Sequence, residues 1–195
     1  MTKPYKIKDP YFRRAKELGY RARSVFKLDE IQQRFKLIQP RDVVVDLGAC
    51  PGSWSERVAQ LVGESGQVVA FDLQEIDPIG DNVVIYKADI TDHDLMEALL
   101  YEPVDGVVAD LAPKTTGIAD ADAYHSAELN HAVLDICERH LKKRGYLITK
   151  IFQGEDFQQV FARAKKMFRD VRAFKPKACR DRSRETYIVG MGFRG

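Results

Sequence analysis

The sequence predicts an α/β fold: an open, mostly parallel sheet with helices on both faces. Three observations carry this expectation. From about residue 43 onward, short continuous apolar runs alternate with stretches of helical periodicity, the pattern of strands buried on both sides. The first such run ends in an acid and enters a glycine loop, Val43-Val44-Val45-Asp46-Leu47-Gly48-Ala49-Cys50-Pro51-Gly52-Ser53-Trp54. The last two runs have little between them, so an antiparallel pairing and a mixed edge are expected there.

The elements follow in order. Residues 11–19 and 22–35 have helical periodicity, the second with Phe26, Leu28, Ile31 and Phe35 as its apolar positions. Val43–Leu47 reads as a strand, Ser53 to about Val62 as a helix, and Gln67–Asp72 as the second strand. Turn signals at Asp77-Pro78 and Gly80-Asp81-Asn82 precede a third strand over Asn82–Tyr86. Asp92–Tyr101 has the acid-rich start of a helix. Gly106–Leu111 is a strand, followed by a polar loop over Ala112–Ala121. A long helix is predicted over 122–143, with Lys142-Lys143-Arg144-Gly145 as a basic last turn and glycine stop. Tyr146–Phe152 is a strand, Glu155–Phe168 a helix, and Val171–Phe174 and Thr186–Met191 the closing strands. No repeat or linker interrupts this order. Residues 1–195 are expected to form one domain with a short basic N-terminal arm, about 1–20.

Composition narrows the class. Of 195 residues, 45% are hydrophobic and 31% charged, as in ordinary globular proteins. No run approaches the roughly 20 apolar residues of a membrane helix, and residues 1–8 lack the apolar centre of a signal peptide. Cys50, Cys137 and Cys179 show neither metal-ligand spacing nor a disulfide framework. The four histidines also lack ligand spacing, so no metal site is expected. A reducing, cytoplasmic setting follows as the expectation.

The net charge of +2 conceals a segregation. Residues 1–27 carry nine Lys/Arg against two acids, and residues 163–195 carry eleven against three. The intervening segment holds eleven basic and 24 acidic residues. Basic ends around an acidic middle point to a polyanion site formed where the ends meet.

The glycine loop occupies the position where ligands bind in open α/β sheets, beyond the carboxyl end of a strand. It is neither G-x-G-x-x-G nor a P-loop. Gly48 and Gly52 permit close backbone approach. Asp72, ending the second strand, suits hydrogen bonds from ribose hydroxyls. Asp89, after the third strand, suits an adenine amino group, with Ile90 against the ring. Trp54, opening the helix, is expected to touch the ligand. Together with Asp110, these acids would repel a pyrophosphate. They suit a cofactor carrying ribose, adenine and a positive centre, as S-adenosylmethionine does. A nicotinamide-dependent oxidoreductase fits poorly with such a loop and with the basic ends.

Five segments in order resemble the FtsJ-type 2′-O-ribose RNA methyltransferases. They are Arg21–Glu30, Asp46–Trp54, Ala109–Pro113, Lys150–Gly154 and Ser183–Tyr187. The resemblance implies a Rossmann-like methyltransferase fold with seven strands, one of them an antiparallel edge strand. It implies S-adenosylmethionine as cofactor, held by Gly52, Trp54, Asp72, Asp89 and Asp110. The family's Lys-Asp-Lys-Glu tetrad falls on Lys27, Asp110, Lys150 and Glu185. The acceptor it implies is a uridine ribose of large-subunit ribosomal RNA, in the subunit or a precursor particle, with the enzyme a monomer. A tRNA 2′-O-methyltransferase of the same family, or a catalytically silent RNA-binding protein on this fold, are the alternatives. Cys50 and Ser53 replace other small residues, and Lys114 stands where the family often has Asn.

The chemistry asks for such a set. A ribose hydroxyl must be aimed at the methyl carbon and must lose its proton. A lysine accepts that proton only if its pKa lies well below about 10.4, which desolvation and a second cation promote. Lys150, beside apolar Ile151 and Phe152, is expected to be the general base, with Lys27 the second cation. Asp110 would hold the Lys150 amine, and Glu185 would orient Lys27 or the ribose. Arg13, Arg14, Arg21 and Arg23 from one end, and Arg180, Arg182 and Arg184 from the other, are the expected RNA contacts. Lys3, Lys6, Lys8, Lys16 and Lys177 would add charge, and Tyr5, Tyr11, Phe12 and Tyr20 are candidates for base stacking.

Overall fold

In the computed structural model, which describes residues 9–113, 116–180 and 182–195, the apolar run Val43–Leu47 forms β1 at the middle of the sheet. The other strands are β2 (Gln67–Asp72), β3 (Val83–Lys87), β4 (Val104–Ala109), β5 (Leu141–Phe152), β6 (Phe168–Phe174) and β7 (Glu185–Phe193). Their order across the sheet is β3-β2-β1-β4-β5-β7-β6. The first five pair in parallel, and β7 is antiparallel to both β5 and β6. The antiparallel strand therefore lies one place inside the edge predicted for it, and β6 is the edge strand. The helical crossover after β5 carries β6 one place too far to pair with β5. The return connection over 175–184 then drops β7 into the gap.

The described residues form six helices, α1 (Pro10–Glu17), α2 (Val25–Phe35), α3 (Ser53–Val62), α4 (His93–Leu99), α5 (Ala119–His140) and α6 (Phe157–Met167), with α1 packed on the start of α2. Asp9 caps α1 by accepting from Tyr11 N and Phe12 N, and Asp92 caps α4 by accepting from Leu95 N. Successive strand residues point to opposite faces. Val45, Leu47, Val107, Leu147 and Ile151 pack with Val133, Leu134 and Cys137 of α5 and Val160 of α6. Val44, Val108, Ile148, Tyr187 and Val189 pack with Leu28 and Ile31 of α2 and Trp54 and Val58 of α3. The second face matters most, because its alternation continues beyond Val108 and Ile148 to Asp110 and Lys150.

The long helix departs from its expected bounds. It starts at Ala119 and stops at His140, so Lys142, Lys143 and Arg144 lie in β5 and not in a helical last turn. Leu141 is buried and extended and pairs with Val104. Lys142 reaches both carboxylate oxygens of Asp105 at 2.9 Å. Burying the leucine in the sheet outweighs extending the helix. Gly145 is required by crowding: a Cβ there would lie 2.9 Å from Asp105 O.

Candidate active site

The loop leaving β1 turns sharply. Gly48 N and Ala49 N both donate to Phe71 O of β2, and Gly48 has φ +74°, a conformation favouring glycine. A Cβ at Gly48 would fall 2.5 Å from Leu111 Cδ2. Asp72 accepts from Cys50 N at 2.9 Å and from Gln74 N at 2.8 Å, so its carboxylate closes the loop from the side of β2. Asp89 is exposed and accepts from the amide and hydroxyl of Thr91. Ile90 is buried behind it. With the strand order β3-β2-β1-β4, the acids at 89, 72 and 110 flank the glycine loop along adjacent carboxyl ends. This set of acceptors fits ribose hydroxyls, an exocyclic amine and a cationic centre, the groups of S-adenosylmethionine.

Trp54 is the exception among the expected cofactor contacts. Its ring is only 2% exposed, stacks on Tyr187 with centroids 5.8 Å apart, and donates from Nε1 to Ser24 O at 2.9 Å. So large an apolar ring is more stable in the core than at a ligand, provided its N–H is satisfied. Trp54 packs against Tyr187, with its ring turned into the core.

Asp46, one residue before the end of β1, is fully buried. It accepts from Ser55 Oγ at 2.5 Å, and its other oxygen has no hydrogen-bond partner among the described residues. Burial, then the nearby Asp110 and Asp72 charges, push its carboxyl up to about 7 against the pull of Ser55.

The tetrad assembles on the face shared by α2. Lys150 is 6% exposed and donates from Nζ to Asp110 O at 2.8 Å, with Asp110 Oδ1 at 3.1 Å. Lys27 and Glu185, each 8% exposed, form a 2.7 Å ion pair. Burial alone would raise the Glu185 carboxyl, but the ammonium groups of Lys27 and Lys150 hold it below the usual range. The Cys179 thiol beside them is pushed up to about 12 by burial and by Glu185, so it stays protonated.

Sequence reading missed the residues that hold this set in place. Tyr187, opposite Lys150 in the β5–β7 register, donates to Asp110 Oδ1 at 2.8 Å. Burial, then the Asp110 charge, push its phenol well above the ordinary value, so it remains a donor. On α5, Asn130 Nδ2 donates to Lys150 O at 2.9 Å, and Ser126 Oγ accepts from Phe152 N at 3.1 Å. Tyr187 was accessible to pattern reasoning, since it lies two residues beyond Glu185 and hence on the same strand face. Ser126 and Asn130 carried no local signal.

An open cleft of about 520 Å³ leads to the tetrad. Lys27, Lys150, Phe152, Glu185, Arg180 and Arg182 are among its lining residues. Arg13 and Arg14 are exposed on α1, and Arg184 is also exposed, 3.5 Å from Asp120. The two basic ends do meet: Asp9 pairs with Arg23 and lies 3.8 Å from Arg180. Arg21 and Arg23 are engaged within the chain, although Arg23 also lines the cleft. Arg23 is spent on Asp9 and Ala178 O, and Arg21 on backbone carbonyls. Tyr11 and Tyr20 pack on Phe26, whereas Phe12 is exposed. Lys3, Tyr5, Lys6, Lys8 and Lys114 lie outside the described residues. Among the described residues, no group of three or more His, Cys, Asp or Glu is placed to hold a metal ion, and no helix is long and apolar enough to cross a membrane.

Comparison with known proteins agrees with this geometry. The profile of the FtsJ-like methyltransferases matches residues 20–193. The chain is 42% identical over 191 residues to the ribosomal RNA large subunit methyltransferase E of Bdellovibrio bacteriovorus, covering 96% of this chain and 97% of that one. It is 40% identical over 195 residues to the protein of the same name from Methanosphaera stadtmanae, covering 96% and 94%. A crystal structure from Plasmodium falciparum, described as a ribosomal RNA methyltransferase, superposes with a TM-score of 0.79 at 24% identity, over 90% of this chain and 100% of that one. Fibrillarin of Aeropyrum pernix, solved with natively bound S-adenosyl-L-methionine, gives 0.60 at 17% identity, over 79% and 68%. Both solved structures share the fold.

Proposed function

The chain belongs to the FtsJ-like methyltransferase family, and from that premise we propose how its residues carry out S-adenosylmethionine-dependent 2′-O-methylation of large-subunit ribosomal RNA. The single observation that carries the reading is the buried Lys150 amine, fixed by Asp110 at the floor of a cleft with arginines at its rim. When bound, S-adenosylmethionine supplies an electrophilic methyl group on a sulfonium. Gly48, Gly52, Asp72, Asp89 and Asp110 are the residues that would hold it.

Lys150 is assigned as the proton acceptor. In the neutral form that accepts a proton, its two N–H bonds are taken up by Asp110 and its lone pair is left for the ribose hydroxyl proton. Asp110 fixes the amine, and Tyr187 fixes Asp110. The Lys27–Glu185 pair forms a second polar wall of the cleft and orients the ribose. Burial of Lys27, Lys150 and Glu185, with Asp110 half-buried beside them, limits the access of bulk water to the proton. Arg13, Arg14, Arg180, Arg182 and Arg184 supply phosphate contacts, which position the RNA without reading its sequence. The resemblance supports a uridine ribose as acceptor, in the large subunit or a precursor particle, and a monomeric enzyme.

The test is mass-spectrometric mapping of 2′-O-methyl groups in ribosomal RNA from cells with and without this protein. Loss of one methyl group from large-subunit RNA is expected. An unchanged map, or a change confined to tRNA, would overturn the assignment.

A further inference from the structure

Residues 21–24 lead from the arm into α2, and each is tied to another segment. Ser53 Oγ donates to Ala22 O at 3.0 Å, and Trp54 Nε1 donates to Ser24 O. Arg23 turns the other way, to Asp9 and Ala178 O. Arg21 spans furthest. Its Nη1 donates to Asp77 O at 3.0 Å and to Pro51 O at 3.4 Å, and its Nη2 donates to Pro78 O at 2.6 Å. Its Nε lies 4.0 Å from Glu56, which offsets part of the charge. One guanidinium thus joins the glycine loop to the β2–β3 connection.

Packing repeats the junction. A Cβ on Gly52 would lie 2.9 Å from Ile79 Cδ1, 3.2 Å from Ile76 Cγ2 and 3.4 Å from Arg21 Cδ. Gly52 also has φ +99°, so the loop, the connection and the arginine stem converge where a side chain would not fit. The planar fork of arginine serves carbonyls of two segments in a fixed geometry that a lysine ammonium on a flexible stem does not reproduce.

We propose that Arg21 is a positioning residue that clamps the β2–β3 connection onto the Gly48–Gly52 loop and so shapes the wall of the cofactor pocket. This rests on the reading of that loop as the S-adenosylmethionine site. The clamp distinguishes Arg21 from Arg180 and Arg182 at the cleft. Its N–H groups are directed at backbone, so it adds little to RNA affinity.

The experiment compares wild type, Arg21→Ala and Arg21→Lys. Calorimetry measures S-adenosylmethionine affinity, filter binding measures affinity for a ribosomal RNA fragment without cofactor, and amide exchange is followed in the cofactor-free chain. Both variants are expected to lose about tenfold in cofactor affinity, as for charge-assisted bonds removed from one group. RNA affinity is expected to stay within about twofold. Amides near 76–79 should exchange faster while those of β5 are unchanged, which separates loss of the clamp from loss of the fold. If Arg21→Ala does not fold, Arg21→Lys carries the test. Cofactor affinity of Arg21→Lys within about twofold of wild type overturns the clamp, whatever happens to RNA binding. A wild-type chain that binds no S-adenosylmethionine overturns the reading of the loop itself, and the clamp with it.

Discussion

The hydroxyl of Tyr187 donates to Asp110 Oδ1 at 2.8 Å, and Lys150 Nζ approaches the same oxygen at 3.1 Å. One carboxylate oxygen therefore receives a fixed donor from β7 and a reactive amine from β5. Tyr187 is fully buried against Trp54, so its own position is set by packing.

Replacing Tyr187 with Phe keeps that packing and deletes the donor. A hydrogen bond to a charged group contributes about 1.5–3 kcal/mol, so the single-turnover methylation rate should fall at least tenfold. Cofactor affinity should stay within a few-fold. Because the phenol remains protonated, the deficit should not vary between pH 6 and 9. A wild-type rate would mean that Asp110 needs no support.

Lys150→Ala removes the proposed proton acceptor. Acid–base help contributes about 10²–10⁴ in rate, so methylation should drop by at least the lower figure. Calorimetry should still show S-adenosylmethionine binding. Activity close to wild type would remove Lys150 from the mechanism.

Asp46 gives a pH dependence of stability. Its folded-state value of about 7 lies above the unfolded value of 3.8, so between them the folded chain binds more protons. Its contribution to stability therefore falls as pH rises through that window and is level above it. Asn cannot ionise. The melting temperature of Asp46→Asn minus that of the wild type, both ligand-free, should increase from pH 5 to pH 8. A constant difference would place the titration elsewhere.

Arg13→Glu combined with Arg14→Glu tests the arm. Both side chains are exposed on α1, and the Arg14 guanidinium lies 5.2 Å from the centre of the Phe26 ring. RNA affinity should weaken, and the slope of log affinity against log salt should shrink by about two. An unchanged slope would show that α1 touches no phosphate.

Much of this fold could be read from the chain. β1, α3 and β2 have the bounds expected of them, because a continuous β-branched run and a glycine loop leave few alternatives. The tetrad was legible through motif resemblance, and strand parity explains why it converges: Asp110, Lys150 and Glu185 continue the alternation of Val108, Ile148 and Tyr187. The reading failed where tertiary contacts outrank local signals. Lys142–Gly145 look like a helix end, yet Leu141 gains more by joining the sheet. Trp54 sits in the right loop but turns inward to Ser24 and Tyr187. Arg21 and Arg23 were read for their charge alone, whereas the fold also engages them with carbonyls and Asp9. No local pattern reveals a partner 56 or 155 residues away.

The placement of β7 between β5 and β6 has a consequence for synthesis on the ribosome. A nascent chain halted before Glu185 would have β5 and β6 separated by an empty strand position, with unpaired backbone on both sides. It would also lack Glu185 and Tyr187. Such an intermediate is open to misassembly, and it cannot yet orient the groups proposed for methyl transfer. Insertion of β7 closes the sheet and brings Glu185 to Lys27 and Tyr187 to Asp110 in the same event, so completion of the core and assembly of the candidate site are timed together.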